Sequence, residues 1–403
     1  MRNAGHAELT TAADPLAFCG EELARIEAAG LGRRVRSLTS ASEPEVVLDG
    51  RRVLCLASNN YLGLAAHPEV VDAAAEAARR YGAGSGSARL VTGGLALHDE
   101  LEAGLAAFKG TEAALLFSSG YLANLGTVAA LVGPGDAVFS DALNHASIID
   151  GCRLSRAGVH VYRHADAGDL EDRLAAWRRT AAAGARALVV TDSVFSMDGD
   201  VAPLPDIAAA CERHGAVLMV DEAHATGVVG PGGRGAVAAY GVDGRVGIVM
   251  GTLSKSLGAA GGFIAGSADL CAWLRNRARS FVFDTALPPP TAAAALAALG
   301  VLEREPQRPV RARRLAGRLA AGLRGAGYDV ADPPAAVVPV MVGAPDAALA
   351  LSARLLGAGV LVTAIRPPTV PDGTSRLRAT VMATHSDAEI DRAVAAFAAA
   401  RVP

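Results

Sequence analysis

The apolar run Val217-Leu218-Met219-Val220 ends in Asp221-Glu222-Ala223-His224. A second run, Ile248-Val249-Met250-Gly251, ends in Thr252-Leu253-Ser254-Lys255. Each run reads as a buried strand, so a carboxylate and an amine emerge at strand ends, where open α/β sheets bind their ligands. Of 38 basic residues only Lys109 and Lys255 are lysines. Arginine stays protonated and cannot replace lysine as a nucleophile, so a surviving lysine is a candidate for Schiff-base chemistry. Lys109, in Phe108-Lys109-Gly110-Thr111, has a simpler reading as a cation beside the last carbonyls of a helix. The abundance of Ala, Gly and Arg suggests a GC-rich genome, a neutral reason for the shortage of lysine.

A carboxylate and a lysine converging at a sheet edge fit pyridoxal 5'-phosphate (PLP). The lysine holds the aldehyde carbon as an imine, and the carboxylate keeps the pyridine nitrogen protonated so that the ring can draw electrons. On that reading His224 hydrogen-bonds toward the ring's phenolic oxygen and Thr252 offers its hydroxyl to the phosphate. Taken singly, Asp221 reads equally as a helix N-cap and His224 as a structural histidine. Phe117-Ser118-Ser119-Gly120-Tyr121 is a strand, a turn and a helix start, whose N–H groups at Gly120 and Tyr121 form an anion site for a phosphate. Asn144-His145-Ala146-Ser147 follows another strand and offers an imidazole to stack on the ring; alone, His145 reads as a helix cap. The loop Gly82–Arg89 follows a helix and lacks the G-x-G-x-x-G pattern, and no P-loop is present, so dinucleotide and P-loop readings fall away.

The elements that must carry these residues alternate. Apolar runs at Ala113–Phe117, Ala137–Ser140, Val159–Tyr162, Ala187–Thr191, Ala216–Asp221, Val246–Gly251 and Gly262–Ala265 are separated by helical patterns, which predicts a mostly parallel sheet covered on both faces. A helix over Pro15–Ala29 and an Asp49-Gly50 hairpin precede them. Two helices near 291–305 and 308–326 follow, then strands near 336–342, 359–363 and 376–381 and a helix from Asp387 to Ala400. The expected organisation is an N-terminal helix and hairpin (1–57), a large α/β domain (58–290) and a smaller C-terminal α+β domain (291–403).

Bulk properties exclude several classes. With 51% hydrophobic and 20% charged residues and a net charge of −3, nothing favours nucleic acid or an anionic membrane as partner. The five cysteines form no C-x-x-C pair, so neither a disulfide framework nor a metal site is expected. The N-terminal sequence carries Glu8 and Asp14 without an apolar run, so no signal peptide is read there and a cytoplasmic location is the expectation.

Together the motifs resemble the α-oxoamine synthases, a branch of the fold-type-I PLP-dependent transferases. The resemblance rests on Ser58-Asn59-Asn60-Tyr61-Leu62-Gly63, Gly84–Thr92, Ser119-Gly120-Tyr121, Asn144–Ser147, Val194-Phe195-Ser196-Met197-Asp198-Gly199-Asp200, Asp221–His224 and Thr252-x-x-Lys255. The string Ala364-Ile365-Arg366-Pro367-Pro368-Thr369-Val370-Pro371 looks like the 8-amino-7-oxononanoate-forming branch. The resemblance implies catalytic roles for Lys255, His145, Asp221 and His224, and cofactor contacts from Gly120, Tyr121, Ser196, Thr252 and Thr285. It implies substrate contacts from Arg366, which would bind an amino acid carboxylate, and from Asn59, Thr369 and an N-terminal arginine, Arg33 or Arg34. Thr285 matches a residue that reaches the partner subunit's cofactor, so a homodimer is implied. The activity implied is a decarboxylative condensation of L-alanine with an acyl thioester of coenzyme A or acyl carrier protein. Glycine-using relatives, an aminotransferase and a non-catalytic partner subunit are the rival readings. Gly94 and Asp192 depart from the family's usual residues, which puts the acyl specificity in doubt more than the reaction class.

Overall fold

The computed structural model describes residues 14–401; residues 1–13, Glu8 among them, and 402–403 lie outside the described part. The chain divides into two compact units, Met1–Leu38 and Thr39–Pro403. The first contains α1 (Ala17–Ala28), none of whose residues is buried.

In the second unit a hairpin opens the chain. β1 (Glu45–Leu48) and β2 (Arg51–Cys55) pair antiparallel. Asp49 and Gly50 both take positive φ, 51° and 74°, the backbone that a two-residue hairpin with native twist requires. α2 (Pro68–Tyr81) and α3 (Ala96–Lys109) come next. The central sheet then begins with β3 (Ala113–Phe117), α4 (Gly120–Leu131), β4 (Ala137–Asp141), α5 (Ala146–Ser155), β5 (Gly158–Tyr162), β6 (Ala187–Asp192), β7 (Val217–Asp221), β8 (Ile248–Thr252) and β9 (Gly262–Gly266). Its seven strands lie in the order β3-β9-β8-β7-β6-β4-β5, parallel except for β9, which runs antiparallel to both neighbours.

Alternation along each strand builds two cores. Leu115, Val138, Leu188, Val190, Met219, Ile248, Met250 and Ile264 face one way with residues of α4 and α5. Leu116, Phe139, Val189, Val220, Val249 and Phe263 face the other, with α3 and the helix Pro289–Arg304. Where both faces are covered, as in β4, β6 and β8, the strands read as near-continuous apolar runs; the edge strand β5 is largely exposed, and each of the seven was visible in the sequence to within two residues.

Two small sheets complete the unit. β10 (Val337–Gly343), β12 (Thr363–Ile365) and β13 (Ser375–Thr380) form an antiparallel sheet in the order β10-β13-β12. β11 (Val360–Leu361) pairs parallel with β2, so the N-terminal hairpin joins a late segment of the chain. The helix Pro289–Arg304 packs on α2 and α3. These contacts cross the boundaries expected at 57 and 290. Propensity finds elements, whereas such contacts are made between residues hundreds of positions apart.

The loop after β8 is fixed by one glycine. Gly258 has φ +63°, and a Cβ there would lie 2.3 Å from Ala65 N and 2.7 Å from Leu64 C. Its N–H donates to Lys255 O at 3.0 Å, closing the turn that carries the lysine. Gly258→Ala should cost at least the roughly 1–3 kcal/mol of left-handed strain, with the backbone clash added. Urea unfolding monitored by circular dichroism measures it, and an unchanged midpoint would remove this constraint.

Candidate functional site

The register of three parallel strands brings the chemistry together. Asp221 lies opposite Asp192 of β6 on one side and Met250 of β8 on the other. It is buried; Oδ1 accepts from Ala223 N at 2.8 Å and Oδ2 from Asn124 Nδ2 at 2.7 Å. Among the described residues it belongs to no ion pair, and both of these partners are neutral N–H groups. Asp192 is buried beside it and accepts from His145 N at 2.8 Å. Desolvation, then the Asp221 charge, holds the Asp192 carboxyl well above the usual range.

Lys255 approaches from the loop after β8. Its Nζ lies 2.8 Å from His224 Nε2, and His224 Nδ1 lies 2.7 Å from the hydroxyl of Tyr61, which is fully buried. Lys255 keeps a strip of accessible surface, but most of the side chain is enclosed by protein. That desolvation, helped by Arg378 and opposed by Asp221 and Asp192, pushes its amine down to about 8. Burial, with Lys255, Arg378 and His145 adding to it, holds His224 well below the usual imidazole value, so His224 is neutral.

An ammonium carries no lone pair. While Lys255 is charged, His224 must therefore accept at Nε2 and keep its proton on Nδ1, donating to the Tyr61 oxygen. The Tyr61 hydroxyl then donates to Asn59 Oδ1 at 3.0 Å. Arg378 supports both groups, with Nη2 donating to Tyr61 at 3.1 Å and Nη1 to Asn59 at 3.0 Å, while its Nε donates to Ser196 O. Arg378 ties together three segments that the sequence separates: 59–61, 193–201 and β13.

Opposite this chain lies the start of α4. Ser119 caps the helix by accepting from Leu122 N at 3.1 Å, and the N–H groups of Gly120 and Tyr121 have no acceptor inside α4. A Cβ on Gly120 would lie 2.8 Å from Met250 and 3.4 Å from Thr252, and one on Gly262 would lie 2.6 Å from Gly120 N. Only glycine lets the helix end sit this close to β8 and β9. Thr252 Oγ1 donates to Gly261 O at 2.9 Å and lies 2.7 Å from Ser254 Oγ. Ser254 is a neighbour that sequence reasoning passed over, although it stands between Thr252 and Lys255.

His145 begins α5. Its Nδ1 accepts from Ser147 N at 3.3 Å and pairs with Ser147 Oγ at 2.7 Å. Ser147 Oγ in turn accepts from Asn124 Nδ2 at 2.9 Å. Asn124, also missed, thus couples His145 to Asp221 through one amide. The Tyr121 ring stands edge-on to His145, 6.5 Å between centroids.

The remaining sequence-derived residues are placed as follows. Arg366 follows β12 and is half-buried, while Thr369 is exposed and donates its N–H to Arg366 O at 3.1 Å. Ser196 lies in the turn closed by the Val194–Val201 bridge. Thr285 is exposed and pairs with Ala88 in an isolated bridge. Arg33 is an exposed residue of the first unit. No metal-holding cluster of His, Cys, Asp and Glu occurs among the described residues.

One expectation holds only in part. Lys109 stands in the last turn of α3, but its ammonium does not go to the α3 carbonyls. It is buried, and its Nζ donates to Glu222 Oε2 at 2.5 Å, Thr226 Oγ1 at 2.8 Å and Arg234 O at 2.8 Å. Gly110, at φ +70°, ends the helix directly after Lys109. The partners lie over a hundred residues away, beyond any helix-end rule.

With the geometry in hand, the chain can be compared with known proteins. Residues 51–397 match the aminotransferase class I and II family. The chain belongs to that family. It is 55% identical over 384 residues, 95% of each chain, to the 8-amino-7-oxononanoate synthase of Anaeromyxobacter dehalogenans (strain 2CP-1). Among solved structures, Sphingomonas wittichii serine palmitoyltransferase superposes with a TM-score of 0.91 at 36% identity, covering 96% of this chain and 98% of that one. A high-resolution structure of SPT with PLP gives 0.90 at 34% identity, covering 96% and 97%. The chain is a fold-type-I transferase, and PLP is its cofactor.

The donor set fits that cofactor. Asp221 is a buried carboxylate without a cation, as a pyridine N–H requires; the α4 start offers unused N–H groups to a phosphate; and Lys255 is a lysine amine depressed toward neutrality. Modification of the cofactor-free chain with an amine reagent across pH should show Lys255 reacting with a midpoint near 8, where an ordinary lysine has about 10.4. Peptide mapping checks it, and a midpoint at the ordinary value would contradict the enclosure of Lys255.

Proposed function

We propose that the chain condenses L-alanine with a pimeloyl thioester, on coenzyme A or acyl carrier protein, to give 8-amino-7-oxononanoate, the free thiol carrier and CO2. The observation that carries the reading is the 55% identity to an 8-amino-7-oxononanoate synthase across 95% of the chain, with Lys255, His224 and Asp221 converging at one sheet edge. PLP, when bound, supplies an aldehyde that takes up an amine and a ring that draws electrons from the carbon beside it.

The residues then have assignable work. Lys255, with its amine near 8, is poised to take the alanine Cα proton at Nζ near neutral pH. Asp221, held by Asn124 and Ala223 N, keeps the ring nitrogen protonated. His145, with Nδ1 occupied by Ser147, would stack on the ring, and His224 would hydrogen-bond to the phenolic oxygen. Gly120, Tyr121 and Thr252, with Ser254, hold the phosphate. Arg366 binds the alanine carboxylate, a task that suits a planar guanidinium. Asn59, Thr369 and Ser196 border the substrates.

A second copy of the chain is the partner that the surface favours. The Ala88–Thr285 bridge joins two segments bearing exposed apolar side chains, with Val91 73% and Phe283 71% accessible. Such side chains on adjoining segments suit an interface through which Thr285 reaches the partner's phosphate. No helix among the described residues is long and apolar enough to cross a membrane.

Release of thiol and CO2 should be fastest with alanine and pimeloyl thioester among pairings of alanine, glycine or serine with acetyl, pimeloyl and palmitoyl thioesters. Turnover of glycine or serine without alanine would transfer the reading to the other condensing relatives, and pyridoxamine formation with a keto acid would make it an aminotransferase. Lys255→Ala should abolish turnover. In sedimentation the chain should run as a dimer that Phe283→Asp weakens; a monomeric active enzyme would sink the shared site.

A further inference from the structure

The two lysines of this arginine-rich chain grip the same short turn from opposite sides. Lys255 meets His224 from the front. Lys109 meets Glu222 and Thr226 from behind, two residues before and two after that histidine. We propose that Lys109 is a positioning residue of the site, holding the Glu222–Thr226 turn and through it the placement of Asp221 and His224.

The turn is buried throughout and is also tied by Glu222 N to Met250 O at 2.8 Å and by Gly227 N to Gly233 O at 2.6 Å. Lys109, however, is the side chain that bonds both ends of the turn. Its backbone closes on itself, Ala225 N and Thr226 N both donating to Glu222 O at 3.0 and 2.8 Å. Asp221 is tied to its start through Ala223 N. The Glu222 side chain runs away from the site: Oε2 accepts from Lys109, Oε1 accepts from Val237 N at 2.7 Å, and a Cβ on Gly235 would collide with it at 2.1 Å. Lys109 is held in return, because Arg234, whose carbonyl it bonds, donates Nε to Phe108 O at 2.9 Å. The loop from α3 through Arg234 to the turn is therefore closed by hydrogen bonds at every junction.

The chemistry asks for lysine. A tetrahedral ammonium has three N–H groups, and here three acceptors of three kinds, a carboxylate, a hydroxyl and a carbonyl, take one each. A guanidinium is planar and larger, and its fork cannot meet three converging acceptors in a buried pocket. This accounts for a lysine at 109 in a chain that uses arginine at 36 of its 38 basic positions, independently of the amine chemistry at 255.

The inference rests on reading Asp221, His224 and Lys255 as the PLP site, and the tests separate the two. Lys109→Met leaves Glu222 buried and unpaired, which endangers folding. The informative variant is therefore Lys109→Met with Glu222→Gln, which removes the charges together. In the full-length, cofactor-free variant the Lys255 midpoint should rise from about 8 toward the ordinary lysine value. PLP affinity should fall about tenfold or more and the visible absorbance of the bound cofactor should shift, as displacement of a site group by a fraction of an ångström would produce. Lys109→Arg should fail to restore these values. Thr226→Val, which deletes one of the three bonds and no charge, should move them the same way by less, and it decides the matter if the other variants do not fold. A lowered Tm with midpoint, affinity and spectrum as in the wild type would make Lys109 an inert strut and overturn the proposal. If borohydride fixed no PLP on Lys255 of the wild type, the cofactor reading would fail instead, with the Lys255 midpoint still reporting on the turn.

Discussion

A buried ammonium needs an acceptor for each N–H that water no longer reaches, and this requirement organises the interior around residues 221–226. Lys109 meets it with three protein acceptors; burial still lowers its amine, opposed by the Glu222 charge. Lys255 meets it only in part, through His224, and its amine falls toward neutrality. The same side chain thus becomes a strut in one place and a reactive base in another. The two sites differ in the acceptors they offer, and the parallel sheet decides where those acceptors are.

That sheet was legible because its covered inner strands are apolar on both faces, so they appeared as runs bounded by turns, while the exposed edge strand β5 showed through its β-branched residues. The strand-end positions of Asp221 and Thr252 followed from it directly. The Asp49-Gly50 hairpin was equally local, since two positive φ values in sequence admit few residue types. The convergence of Asp221, His224 and Lys255 was visible because each sits within a few residues of a strand end. Their roles in binding substrate and cofactor rest on family resemblance and on the proposed function.

What stayed hidden depends on contacts far apart in sequence. Arg378 carried no signal in its strand, yet it braces Asn59, Tyr61 and Ser196 at once. Asn124 lies on the second turn of a helix whose start drew all the attention, and it reaches both Asp221 and Ser147. Lys109 was only half read, because a helix-end rule is local and its acceptors are not. In each case the residue type announced a capacity for hydrogen bonding, and only the tertiary fold showed where it was used.

The depressed amine and the raised carboxyl have a thermodynamic counterpart. For Lys255 the folded value near 8 lies below the unfolded one near 10.5. Between those values the unfolded chain binds the extra proton, so stability rises with pH through that window. Below it, Lys255 opposes folding by an amount of order 3 kcal/mol. Asp192 has the opposite shift and the opposite pH trend: its folded value is raised, so stability is lost as pH climbs from the unfolded carboxylate range toward that value. Near neutrality both groups work against the folded state. The site is a locally frustrated region held in place by the sheet, and a molecule that relieves the frustration is also a folding ligand.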